Sequence, residues 1–175
     1  MLSIEKLKSC LRTIPDFPVK GILFYDITTL LKNPEALKSV GDILFDMYKD
    51  KGITKVAGLE SRGFIFGPAL AARIGAGFVP LRKPGKLPSD KLSESYQKEY
   101  GSDKIEIHKD AVTENDVVLL HDDLLATGGS AAAAVSLLRK CKPKSVSANF
   151  IIELQALGGR EKLPADVETC SLLKL

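Results

Sequence analysis

The sequence predicts an α/β fold: one domain spanning residues 1–175, with a mostly parallel twisted sheet flanked by helices. Three observations carry this. Apolar runs such as Lys55-Val56-Ala57-Gly58-Leu59 and Asp116-Val117-Val118-Leu119-Leu120-His121 are continuous rather than alternating, the pattern of strands buried on both faces. Segments of helical period stand between those runs. The chain has 175 residues, 45% hydrophobic and 27% charged, which suits one globular core and argues against disorder.

The elements follow in order. Ile4 to Leu11 spaces its apolar residues as a short amphipathic helix, which Pro15-Asp16-Phe17-Pro18 breaks. Ile22-Leu23-Phe24-Tyr25 is a short apolar run, and Asp26-Ile27-Thr28-Thr29 leads from it toward another helix. From Pro34 to Lys49, residues Leu37, Val40, Ile43, Leu44 and Met47 keep helical period. Lys55–Leu59 reads as a buried strand, Glu60-Ser61-Arg62-Gly63 as a turn, and Phe64–Ile74 as a small-residue helix with Pro68 near its start. Gly77–Leu81 is a second strand. Arg82 to Lys109 is a long polar excursion without a core of its own, and segments of that length are usually functional. The strand Asp116–His121, an Ala-rich helix from Ser130 to Lys140 and a strand over Ser145–Glu153 complete the pattern.

Composition excludes several function classes. The net charge is +3 and aromatics are 6% with no Trp, which disfavours a dedicated nucleic-acid binder. Cys10, Cys141 and Cys170 form no C-x-x-C, so neither a disulfide framework nor a zinc site is expected. Two histidines, His108 and His121, cannot build a multi-histidine metal centre. The opening Met1–Lys6 lacks the apolar run of a signal peptide, and no apolar stretch reaches the roughly 18 residues of a membrane span. A cytoplasmic protein is expected.

The strongest chemical signal is Val117-Val118-Leu119-Leu120-His121-Asp122-Asp123-Leu124-Leu125-Ala126-Thr127-Gly128-Gly129-Ser130. A buried strand leads into two adjacent acids, a Gly-rich loop and a helix start, and ligands of open α/β sheets bind beyond such strand ends. Backbone N–H groups and the hydroxyls of Thr127 and Ser130 suit a phosphate at the positive end of a helix. No Lys follows the glycines, so this is not the loop that cradles a nucleoside triphosphate. One phosphate with vicinal hydroxyls fits better, because Asp122 and Asp123 can accept from a pentose or hold Mg²⁺ nearby. The plainer reading is a tight turn with an acidic cap, although buried paired acids are costly without partners.

This stretch resembles the phosphoribosyl-pyrophosphate-binding motif of the type I phosphoribosyltransferases. The resemblance extends over essentially the whole chain through Pro15-Asp16-Phe17-Pro18, Gly21-Ile22-Leu23-Phe24, Gly58–Phe64, Val79–Pro88, Glu99-Tyr100-Gly101 and Gly159-Arg160-Glu161-Lys162-Leu163. The Arg82-Lys83-Pro84-Gly85-Lys86 and Glu99-Tyr100-Gly101 segments narrow it to the adenine-specific branch. The resemblance implies a pentosyltransferase of purine salvage. It would move 5-phosphoribose from 5-phospho-α-D-ribose 1-diphosphate to N9 of adenine, giving AMP and diphosphate. It also implies a small hood from about residues 1–33, a mobile catalytic loop, a homodimer, and Mg²⁺ carried mainly by the substrate rather than by direct protein ligands.

Residue roles follow from the same likeness. Asp122, Asp123, Ala126, Thr127, Gly128, Gly129 and Ser130 would hold ribose 5-phosphate. Glu60, Ser61, Arg62, Arg82, Lys83, Lys86 and Tyr100 would meet the diphosphate, with a cis peptide between Glu60 and Ser61 and with Arg82 reaching a neighbouring subunit's site. Their cations suit a leaving group that carries several negative charges. Glu99, catalytic with Arg62 and Arg82, would exchange a proton with the purine. By itself Glu99 reads as an exposed loop acid. Leu23, Phe24, Tyr25 and Leu154 would receive adenine, although Leu23 and Phe24 would serve a core in any fold. The chain departs from the family's usual residues at Tyr25 (commonly Arg), His121 (commonly apolar) and Ser130 (commonly Thr). His121 reads as a strand-end residue. The competing functions are transfer to a 6-oxopurine, or a non-catalytic regulator that binds the sugar diphosphate.

Overall fold

The computed structural model describes residues 1–17, 19–97 and 101–175. Its contacts form two compact units, Met1–Met47 and Tyr48–Leu175.

In the first unit, helix α1 (Ile4–Ser9) is capped by Ser3, whose hydroxyl accepts from the Lys6 N–H at 3.4 Å. Strands β1 (Arg12–Pro15) and β2 (Leu23–Asp26) pair antiparallel. The sequence reading ran the helix on to Leu11 and placed only a chain break at Pro15. Strand β1 escaped it because three of its four residues are exposed and leave no apolar pattern. Helix α2 (Thr28–Leu31) follows the polar Asp26–Thr29 stretch. Helix α3 (Pro34–Tyr48) starts where the Asn33 side chain accepts from the N–H groups of Glu35 and Ala36 at 3.0 and 3.1 Å.

The second unit is built on β3 (Lys55–Leu59), α4 (Gly63–Ile74), β4 (Gly77–Leu81), β5 (Lys91–Gln97), β6 (Ser102–His108), β7 (Val117–Leu125), α5 (Gly129–Lys140), β8 (Ser145–Glu153) and β9 (Thr169–Lys174). Five strands form a parallel sheet in the order β4-β3-β7-β8-β9, as the continuous apolar runs require. One face presents Ala57, Leu59, Val118, Leu120, Ala148 and Phe150. The small apolar side of α5, with Ala131, Ala134, Val135 and Leu138, shares their core.

Three expectations need correction. Residues 82–109 are not a coreless excursion: β5 and β6 form an antiparallel hairpin, and Ile105 and Ile107 are buried in the main core. Pro68 lies past the first turn of α4, inside the helix. Most consequentially, β7 does not stop at His121 but continues through Asp122 and Asp123 to Leu125, with Asp122, Leu124 and Leu125 in register with β8. The acids therefore belong to a central strand rather than to the loop after it. Strand β9, a mixed polar and apolar edge, was not anticipated. Among the described residues, no helix is long and apolar enough to cross a membrane.

Candidate active site

The site is assembled at the C-terminal ends of β3, β4, β7 and β8. At its centre, Asp123 is almost wholly buried. The Asp122 carboxylate accepts from the Asp123 N–H at 2.9 Å. Burial raises the proton affinity of both acids. The charge of Asp123 raises that of Asp122 further, to well above the ordinary carboxylate range. Arg62 opposes this, with its Nε 3.1 Å from Asp123 Oδ2.

Arg62 reaches Asp123 because α4 begins very close to β7. A Cβ on Gly63 would lie 2.6 Å from the His121 carbonyl oxygen and 3.4 Å from Asp122 Cα. Only glycine admits that approach. Just before it, the peptide bond between Glu60 and Ser61 is cis, as the resemblance implies.

The Gly-rich loop turns from β7 into α5 with Gly128 as N-cap at φ +78°. No side chain caps the helix, and the first intrahelical bond runs from Ala132 N–H to Gly128 C=O at 2.9 Å. The opening amides of α5 thus remain available to an acceptor. The hairpin is close by: a Cβ on Gly129 would lie 3.2 Å from the Gln97 carbonyl oxygen. Residues 98–100 follow Gln97 directly, so Glu99 and Tyr100 lie outside the described residues.

The cations expected for the diphosphate fall into two clusters. Arg82 Nε is 2.9 Å from Glu60 Oε2, and the Lys83 N–H donates to the same oxygen at 2.8 Å. The Arg82 bond foremost, then the Lys83 amide, hold the Glu60 carboxyl below its ordinary value against the effect of burial. The Lys83 ammonium binds Asp103 and, at 3.0 Å, the Tyr96 hydroxyl. Burial opposes its charge, yet these bonds keep its pKa above the ordinary value. Lys86 is exposed and acts on Glu60 only through its charge. Leu154 joins the strand ends, its N–H donating to Leu125 C=O at 2.9 Å. Leu23, Phe24 and Tyr25 lie on β2 of the first unit.

Two features were not foreseen as parts of the site. One is the pairing of Lys83 with Asp103 and Tyr96, which crosses from β4 to the hairpin. The other is the short 3-10 turn over Gly159–Lys162, which packs backbone against backbone on the Gly-rich loop. Gly159–Leu163 belongs to the family likeness, but nothing in its residue types places it against the Gly-rich loop.

His121 is fully buried, with Nδ1 3.0 Å from Asn149 Oδ1 on β8. Burial pushes its pKa down from 6.5 to about 4, so it is neutral at physiological pH. It lies in the middle of β7, tied to Asn149 of the neighbouring strand, and not at the strand end that the sequence suggests. Because the unfolded chain takes up this proton first, stability is lost as pH falls from 6.5 toward about 4. His121→Gln is expected to lose that part of the pH slope. Denaturant melts of both proteins across this range will show it, and parallel curves would contradict the buried neutral state.

Comparison with known proteins agrees with this architecture. Residues 26–170 match the family model described as phosphoribosyl transferase domain. The chain is 63% identical to an adenine phosphoribosyltransferase of Phocaeicola vulgatus, over 99% of this chain and 100% of that protein. Among solved structures it resembles the Giardia lamblia enzyme complexed with 9-deazaadenine, with TM-score 0.94 and 42% identity over 100% of this chain and 99% of that one. It also resembles the Trypanosoma brucei enzyme in complex with AMP, pyrophosphate and ribose-5-phosphate, with TM-score 0.90 and 27% identity over 99% and 82% of the two chains. A parallel sheet ending in paired acids and an uncapped helix, together with these likenesses over the full chain, places the protein in the adenine phosphoribosyltransferase family.

Proposed function

We infer that this site transfers 5-phosphoribose from 5-phospho-α-D-ribose 1-diphosphate to N9 of adenine, releasing diphosphate and forming AMP. The observation that carries the reading is the uncapped N-terminus of α5 immediately after two carboxylates of raised proton affinity. The amides of Thr127–Ser130 and the two hydroxyls there receive the 5-phosphate. Asp122 and Asp123 accept from the ribose 2- and 3-hydroxyls, adding donors to those that the Asp123 amide and Arg62 already supply.

Bond cleavage at C1 builds positive charge on the ribose and negative charge on the departing diphosphate, as in glycoside cleavage. Arg62, Arg82, Lys83 and Lys86, with the backbone of Glu60 and Ser61, stabilise that departing charge. Tyr100 belongs to the same reading. As N9 of adenine bonds to C1, the purine must lose a proton, and Glu99 accepts it. The adenine contacts that the likeness assigns to Leu23, Phe24 and Tyr25, and separately to Leu154, belong to the same proposal.

Among the described residues no group of three or more acidic, His or Cys side chains could hold a metal. Mg²⁺ would be carried mainly by the phosphate oxygens of the substrate, near Asp122 and Asp123, without direct protein ligands. When bound, the ion neutralises phosphate charge. The single-domain organisation with an N-terminal hood, the homodimer in which Arg82 serves a neighbouring site, and a cytoplasmic location belong to the same proposal. In the single chain Arg82 is engaged by its own Glu60.

The decisive assay supplies the sugar diphosphate and Mg²⁺ with adenine, hypoxanthine, guanine or xanthine in turn. Turnover with adenine alone is expected, and turnover with oxopurines alone would overturn the assignment. Glu99→Ala should lower kcat by roughly 10²–10⁴-fold, the usual worth of general-base catalysis, with KM for the sugar diphosphate little changed. An unchanged kcat would remove Glu99 from the proton transfer.

A further inference from the structure

The turn after β8 is held by a clamp centred on Arg160. Arg160 Nε and Nη2 meet Glu153 Oε1 and Oε2 at 2.8 and 2.6 Å, a two-point pairing with a carboxylate whose side chain is only 6% exposed. The same guanidinium donates through Nη1 to the Thr169 carbonyl at 2.6 Å, and reaches the Ser171 hydroxyl from Nη2 at 3.4 Å. One planar group thus ties the last residue of β8 to the first residues of β9. The pairing holds Glu153 firmly ionised, below its ordinary pKa.

The residue just before Arg160 is the one that touches the phosphate loop. A Cβ on Gly159 would fall 2.9 Å from the Gly128 amide nitrogen and 3.0 Å from the Ala126 carbonyl carbon. In return, a Cβ on Gly128 would fall 2.9 Å from Gly159 Cα. Two backbones meet here with no side chain between them. Such a contact has no soft rotamer to absorb a shift, so displacement of one chain is passed to the other.

We propose that Arg160 is a positioning residue for the 5-phosphate cradle: anchored on Glu153, it seats Gly159 against Ala126 and Gly128 and so fixes the amides that meet the phosphate. This rests on the reading of Thr127–Ser130 as that cradle. The guanidinium fork is essential to it. An ammonium offers no planar pair of donors, so Lys at this position keeps the charge and loses the geometry.

The test compares Kd for AMP and for adenosine, because the gap between them reports the phosphate contact alone. In Arg160→Lys and Glu153→Gln, Kd for AMP is expected to rise about tenfold or more, toward the 10²-fold that an ångström-scale misplacement can cost. Kd for adenosine should stay within about twofold, since the base and ribose contacts are made elsewhere. A purely structural role would weaken both ligands together. That result, or an AMP affinity left unchanged, would overturn the proposal. Glu153→Gln conserves shape and decides the matter if Arg160→Lys does not fold. The double variant Thr127→Ala/Ser130→Ala separates the two levels. If it narrows the gap while the clamp variants do not, only the role of Arg160 fails. If it leaves the gap intact, the cradle reading fails and the proposal with it.

Discussion

Asp122→Asn is expected to yield a protein that melts at a higher temperature and binds its sugar phosphate less well. The two effects share one cause. In the free protein, burial and the neighbouring Asp123 charge raise the Asp122 pKa well above 3.8, so the folded state holds a proton that the unfolded chain releases more readily. Stability contributed by the protonated form is complete below 3.8 and is lost as pH rises through the folded value. Above the unfolded value, burial of this carboxyl therefore weakens the fold. Asn imitates the protonated carboxyl and removes that cost.

Each kcal/mol recovered should raise Tm by about 2–4 °C in a chain of this size. The loss falls on the ligand: hydrogen bonds to a charged acceptor contribute about 1.5–3 kcal/mol, so Kd for AMP should rise roughly 10–100-fold. Calorimetric titration and thermal melts at several pH values test both halves. His121 titrates in an overlapping range with the opposite sign, so the informative curve is the difference between variant and wild type. An Asn variant that is less stable at neutral pH, or that binds AMP normally, would remove Asp122 from the ribose site.

Gly128→Ala should be among the most damaging single-methyl additions in the molecule. At φ +78° an L-residue carries a backbone penalty of about 1–2 kcal/mol. The new methyl must also enter space held by the Gly159 backbone, which adds about 1–3 kcal/mol of overpacking. Together these predict a drop in Tm of roughly 5–15 °C and weaker AMP binding. Gly52→Ala supplies the control. Its φ is +65° with no neighbouring atom within 4 Å, so it carries the backbone penalty alone. If both variants lose the same stability, the close contact between Gly128 and Gly159 has no energetic weight.

How much of this was legible beforehand depends on whether the signal was local. Strands β3 and β4 could be bounded to the residue because each is a short, mainly apolar run closed by polar or glycine punctuation, and β8 because its apolar half, Phe150–Ile152, ends at Glu153. Strand β7 was cut short since an acid pair in a sequence normally marks a strand's end. It continues through the acids to Leu125 because the β8 ladder pairs the backbone on either side of Asp123 regardless of side chain. In the hairpin, only Ile105 and Ile107 signalled burial, and Lys91–Gln97 reads as a polar loop until it finds β6. The acids and glycines of the candidate site lie within one short stretch and were visible as a motif. The pairs Glu153–Arg160, Lys83–Asp103 and Gly128–Gly159 join different elements, and no spacing rule brings them together.

Three of the cations around the strand ends are paired within the chain. Arg62 rests on Asp123, Arg82 on Glu60 and Lys83 on Asp103, so each of these three already has an internal anion. On the proposed reading, an incoming diphosphate would exchange one negative partner for another rather than fill an unmet charge. Its departure would return each cation to its resident carboxylate.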